Sequence, residues 1–217
     1  MYTLSLYHDF YRGNVTCDLQ VQHAILYVLK GAAEINGISV AANEAVYGTD
    51  LITIKTTADT TIWRYEIAPT SCGSNIITAL GVVSHLKMAR RPRMFELAPR
   101  TRWLFRLDTI IKFKGSTGLH SHPALGIRCL VEGGMRIESK ITVAEESYSN
   151  KQGDVWYEEG SYPIISTADD GGVTFLRGMI LPAEYVDFGE TATWIEGVDK
   201  KPEFTWKLYK QQVVTLI

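Results

Sequence analysis

Ile25-Leu26-Tyr27-Val28-Leu29-Lys30-Gly31 returns later in the chain as Ile127-Arg128-Cys129-Leu130-Val131-Glu132-Gly133. In each copy an isoleucine, Ile35 or Ile137, follows the glycine at the fourth position. A second pair of segments keeps the same order: Thr61-Ile62-Trp63-Arg64 running to Pro69, and Thr174-Phe175-Leu176-Arg177 running to Pro182. Ile25 to Ile127 is an offset of 102 and Thr61 to Thr174 one of 113, so the second copy carries a longer hairpin, placed around Lys140 to Gln152. Repetition at a fixed order is the signature of a duplicated module.

The module itself reads as β-structure. Ala24 to Leu29 is a short apolar run closed by Gly31, and Thr60 to Ile67 alternates β-branched and aromatic residues before Pro69. Asn36-Gly37 sits between two such runs, and this dipeptide favours a two-residue hairpin turn. Many short strands at close spacing predict a sandwich or barrel. The expected domains are a barrel over 1–70, a linker over 71–99, and a second barrel over 100–217 with a C-terminal strand extension. The apolar run Ile76 to Met88 predicts a short helix in the linker, capped by Ser74 or Asn75 and broken at Arg90-Arg91-Pro92. Gln212 to Ile217 predicts a strand that completes the first barrel or adds to a second copy, hence a homodimer.

Composition bounds the function. Of 217 residues, 46% are apolar and 21% charged, with a formal net charge of -2. Nothing here is a basic stripe for nucleic acid. No apolar run approaches a membrane span, and the N-terminus lacks the pattern of a signal peptide. The expected location is the cytoplasm, with Cys17, Cys72 and Cys129 as reduced thiols too scattered for a zinc pattern or disulfide framework. Lys87, Arg90, Arg91 and Arg93 form a basic cluster that reads as a solvated element end, with anion binding as the alternative.

One pair of residues carries chemistry. His120 and His122 flank Ser121, and side chains two apart on a strand share a face. If that face lines a barrel, both imidazoles can reach one metal ion. The competing reading is a pair of loop histidines. Gly115 to Pro123, with Gly126 to Gly133, and later Gly153 to Pro163, resemble the two motifs of the cupin superfamily. The family's first motif runs glycine, five residues, His-x-His, three or four residues, glutamate, six residues, glycine. Its second runs glycine, five residues, Pro-x-Gly, two residues, histidine. The resemblance covers Leu107 to Pro182 and, more faintly, the earlier copy. It implies a bicupin, two double-stranded β-helix (jelly-roll) barrels in one chain.

The departures shape the expected site. Counting back from Gly133 puts Gly126 at the place of the family's ligand glutamate, and the second-motif histidine falls near Pro163. Glu158 or Glu159 could supply the missing carboxylate; Glu158, in phase with Trp156, is preferred. His120, His122 and Glu158 would then form a two-histidine, one-carboxylate set for a divalent metal (iron, manganese, zinc or nickel). Arg128 shares the inward phase, and its fork suits a carboxylate: that of a substrate, with Trp156 as a second substrate contact, or that of Glu158 or Glu132 in an internal ion pair. In the second case Glu158 is not free for a metal. The first copy has Asp18, Gln20 and Ala24 at the matching positions and reads as a support barrel; His23 reads as structural, and His8 and His85 show no partners. What the resemblance implies is a metal-dependent dioxygenase, isomerase, decarboxylase or lyase acting on a small organic acid, or a non-catalytic binding or sensing module with a degenerate metal site.

Overall fold

The structure, a computed structural model, describes residues 1–91, 101–123, 125–139, 145–149, 151–160, 162–189, 191–195 and 204–216. The chain divides into two compact units, Met1–Pro99 and Arg100–Ile217. Among the described residues almost all regular structure is strand, and no helix is long and apolar enough to cross a membrane.

The first unit holds β1 (Tyr2–Tyr11), β2 (Asn14–Lys30), β3 (Ala32–Ile35), β4 (Ile38–Ala41), β5 (Glu44–Thr57), β6 (Thr60–Pro69) and β7 (Val82–Arg90). They form one antiparallel sheet in the order β4-β3-β5-β2-β6-β1-β7. Strand β2 shows why the sequence folds this way. Its first half alternates, burying Val15, Cys17, Leu19 and Val21 and exposing the residues between, while Ala24 to Val28 is buried on both faces. A bulge between Val21 and Ala24 separates the two regimes. The Asn36-Gly37 turn has φ of 49° and 78°, the left-handed pair that a tight hairpin demands and that asparagine and glycine tolerate. Ile52, Ile54 and Ile62 pack with Leu26 and Val28 in the core, where each fully buried side chain of this size contributes roughly 1.5–3 kcal/mol.

The helix expected over Ile76 to Met88 is not there. Gly81 takes φ +81°, and the residues beyond it form β7, which lies along β1 with His85 opposite His8. The edge of β1 offers unpaired backbone groups, and satisfying them outweighs a weak helical pattern. Arg93 of the basic cluster lies outside the described residues.

The second unit repeats the plan with more breaks. Its strands are β8 (Arg102–Phe113), β9 (His120–Ser121), β10 (Leu125–Glu132), β11 (Met135–Ser139), β12 (Glu145–Ser149), β13 (Val155–Glu158), β14 (Ile164–Ala168), β15 (Val173–Pro182), β16 (Thr193–Trp194) and β17 (Thr205–Thr215). Two five-stranded sheets result, β13-β10-β15-β8-β17 and β12-β11-β14-β9-β16. The registers match those of the first unit: Arg128 faces Arg177 across β10 and β15 as Leu26 faces Arg64 across β2 and β6. Strand β9 with β10 corresponds to β2, and β13 with β14 to β5. The C-terminal strand β17 lies on β8 of its own unit rather than completing the first barrel. Ile110, Phe113, Leu130, Trp156 and Phe175 build the core.

Candidate functional site

Strand β9 brings both histidines inside the second unit. His120 pairs with Ile164 of β14 and with Trp194 of β16, and both imidazoles are buried. Their rings meet edge to face with centroids 5.0 Å apart. The Nδ1 of His120 lies 2.9 Å from the Gly118 carbonyl, and that of His122 lies 2.8 Å from the Thr191 carbonyl. A carbonyl only accepts, so each Nδ1 carries a proton, which leaves the lone pair of a neutral His120 ring on Nε2. Burial, followed by the neighbouring His122, pulls the His120 pKa below its ordinary value.

Glu158 and Arg128 arrive from adjacent strands. Glu158 of β13 faces Gly126 of β10, and Arg128 faces Trp156. The Trp156 indole N–H donates to Glu158 Oε1 at 2.8 Å. Arg128 Nη2 lies 2.7 Å from Glu158 Oε2, and His122 Nε2 lies 3.3 Å from the same oxygen. Burial by itself would raise the Glu158 pKa, but the Arg128 guanidinium, with help from His122 and Trp156, holds the carboxyl well below the usual carboxylate range. The internal ion pair is therefore present.

It does not satisfy Arg128. This guanidinium is fully buried, and its Nε, Nη1 and Nη2 make no hydrogen bond among the described residues. The approach to Glu158 is close enough for an ion pair but not aligned for a hydrogen bond. Burial lowers the Arg128 pKa and Glu158 opposes that. The guanidinium reaches this place because residue 126 is glycine: a Cβ there would stand 2.3 Å from Arg128 Nη1 and 2.6 Å from the Gly178 carbonyl oxygen.

The first unit makes the contrast. Arg64 is equally buried, yet its Nε donates to Asp9 at 2.6 Å, its Nη2 to Asp9 at 3.3 Å and to the Asn75 carbonyl at 3.0 Å, and its Nη1 to Glu66. In the second unit the matching Arg177 is likewise engaged, by Asp108 at 2.7 and 2.9 Å. Arg106 donates to the Phe188 carbonyl at 2.8 Å, and Trp206 donates to Asp108 at 2.9 Å. The buried charged residues described in the second unit are thus Arg106, Arg128 and Arg177 against Asp108 and Glu158, an excess of one positive charge. Among the described residues the first unit buries Arg64 against Asp9 and Glu66, an excess of one negative charge.

His120, His122, Arg128, Glu158 and Arg177 line a cavity of about 60 Å³, walled on its apolar side by Ile110, Phe113, Phe175, Trp194 and Phe204. Trp156 is not among the lining residues; it packs on Phe175 and holds Glu158 from behind. Neither is Glu159. His23, in the first unit, bonds the Tyr47 hydroxyl through Nδ1 at 2.7 Å. Sequence reasoning missed Asp108, Arg177 and Trp194. Arg177 was visible as the repeat partner of Arg64, but nothing local shows that either is buried.

The donor set fits a divalent metal only in part. Two buried imidazoles suit one, but the carboxylate that would complete the set is paired with Arg128. Among the described residues no group of three or more His, Cys, Asp or Glu is arranged to hold a metal ion.

No family model and no curated protein matches the sequence. Solved structures do match. An oxalate decarboxylase of Bacillus subtilis aligns with a TM-score of 0.55 at 12% identity, over 88% of this chain and 71% of its own. A point mutant of salicylate 1,2-dioxygenase from Pseudoaminobacter salicylatoxidans aligns with a TM-score of 0.51 at 11% identity, over 94% and 74%. The protein Ylba of E. coli aligns with a TM-score of 0.50 at 13% identity, over 82% and 76%. At these identities the likeness is one of fold alone, the all-β barrel architecture that this chain shares with those structures.

Proposed function

Taking the duplicated cupin fold as the scaffold, we propose that the second unit binds a small organic acid whose carboxylate docks on Arg128. The observation that carries this reading is the fully buried guanidinium that lines a cavity without a single hydrogen bond among the described residues. Leaving a buried charged group unsatisfied costs several kcal/mol, and an incoming carboxylate removes the cost with a bidentate, charge-assisted contact. The excess positive charge of the unit favours the same partner. A cavity of about 60 Å³ exceeds the 10–15 Å³ that one water needs, so it takes an acid of a few heavy atoms rather than a large one. Phe113, Phe175 and Trp194 supply an apolar wall for its body. His120, kept neutral, holds its Nε2 lone pair ready to accept a proton from a bound acid. The names of two of the matched proteins, oxalate decarboxylase and salicylate dioxygenase, are those of enzymes acting on small carboxylic acids, which agrees with this reading.

Isothermal titration of the protein with formate, acetate, oxalate and benzoate tests it. Saturable binding of at least one acid is expected. Arg128→Met should weaken it by roughly a hundredfold, the weight of a charge-assisted pair at about 1.5–3 kcal/mol. Absence of binding by all four acids would sink the reading.

A second reading, a metal-dependent enzyme using His120, His122 and Glu158, is favoured by the two buried imidazoles with centroids 5.0 Å apart. One matched structure describes Mn(II) centres in the B. subtilis oxalate decarboxylase. This reading requires Arg128 to release Glu158.

A further inference from the structure

The two readings meet at one oxygen, Glu158 Oε2. It lies 2.7 Å from Arg128 Nη2 and 3.3 Å from His122 Nε2. A metal ion bound by the histidines and Glu158 would share that oxygen with a guanidinium already in contact with it. Like charges this close repel strongly wherever water is excluded, and both residues here are buried. The guanidinium has little room to retreat. Nη1 fills the space over Gly126, and Arg177, the other arginine on the cavity, is fixed by Asp108.

We infer that Arg128 is the resident cation of this site, occupying the electrostatic place of a divalent metal and keeping His120, His122 and Glu158 from acting as a ligand set. The inference deepens the reading of Arg128 as the anion receptor and rests on it in part, since a fixed cation is what docks the acid. It adds that acid binding needs no metal, and that a latent metal site lies beneath the arginine. Gly126 is the enabling residue. The backbone of β10 gives up a side chain opposite Glu158, and Arg128, two residues on, reaches back into the gap.

The test uses cobalt(II) alone as probe, with affinity read by calorimetry and imidazole ligation by visible absorption. Wild-type protein should bind cobalt at least about a hundredfold more weakly than Arg128→Gln, which removes the competing charge and leaves a shorter, neutral polar side chain. If folded Arg128→Gln gains no cobalt affinity over wild type, the inference is wrong. Should that variant fail to fold, wild type decides: one cobalt bound with histidine absorption, and lost in His120→Ala, overturns the inference, and no such band supports it. Acid titrations run separately. Binding of the acid that survives exhaustive chelation supports a resident cation, whereas binding lost on chelation and restored by cobalt overturns it. If wild type binds no acid at all, the docking proposal fails, while the cobalt comparison still judges the place of Arg128.

Discussion

Gly126 is a small residue on which the arrangement of large ones depends. Its backbone is ordinary extended strand, so its importance is steric. Replacing it with alanine puts a methyl group 2.3 Å from Arg128 Nη1 and 2.6 Å from the Gly178 oxygen. One neighbour is a side chain that can shift; the other is backbone that resists. Gly126→Ala should lose about 1–3 kcal/mol in urea unfolding, the usual cost of overpacking a filled interior. The control is Gly171→Ala, where a Cβ meets nothing within 4 Å and the change should stay within about 0.5 kcal/mol. Equal effects of the two would show that the contact with Arg128 and Gly178 is not what matters. The sequence made Gly126 conspicuous by its position in the motif, and made Arg128 conspicuous by its phase. It did not show Asp108 with Arg177, or Asp9 with Arg64. Those pairs join residues 69 and 55 positions apart, and no local pattern encodes a contact between strands so distant.

Elements follow the same division between local and distant causes. The hairpin at Asn36-Gly37 and the strand ending at Gly31 were legible because turn chemistry and alternation act over a few residues. The helix predicted for Ile76 to Met88 failed because a short apolar run has no period of its own, and the edge of β1 decided its conformation. Phase arguments also fail across breaks. A constant offset of 102 maps His120 and His122 onto Asp18 and Gln20, which are exposed. The first unit spans this region with a bulge between Val21 and Ala24, and the second interrupts it at Pro123, whose nitrogen has no proton for the ladder. The two irregularities shift the inward face. Strand β17 carries a distant effect of its own, because it delivers the Trp206 indole to Asp108 at 2.9 Å. Trp206→Phe keeps the ring but drops this bond to a buried carboxylate that also holds Arg177. Its expected cost is about 1–3 kcal/mol, the weight of a hydrogen bond to a charged group, with an unchanged denaturant slope in urea unfolding. An unfolding midpoint equal to wild type would mean that Asp108 is held well enough by Arg177.

At the scale of the molecule, two units of similar plan carry opposite buried charge among the described residues. In the first, Arg64 is shared by two carboxylates; in the second, Arg128 and Arg177 outnumber the acids with Arg106. Acid should separate them. Burial, only partly offset by Arg64, raises the Glu66 pKa in the folded state. A raised carboxyl takes up its proton in the native state first, so the first unit gains stability as pH falls through the folded value towards the unfolded one near 4.3. Glu158 has the opposite sign: burial is outweighed by Arg128, and the folded pKa is lowered. Its contribution is present above about pH 4.3 and fades as the unfolded chain takes up a proton that the native state refuses. Hydrogen exchange, corrected for intrinsic rates, resolves the two units in the same sample. Between pH 6.5 and 3.8, protection of amides in β2 and β6 should hold or rise, while protection in β10 and β13 should fall. Mutation sharpens the comparison. Glu66→Gln should flatten the first trend without touching the second, and Glu158→Gln should reduce the acid sensitivity of β10 and β13 while lowering their protection at pH 6.5, where Arg128 would lose its counter-charge. Parallel loss of protection in both units on acidification would refute the assignment of opposite signs to Glu66 and Glu158.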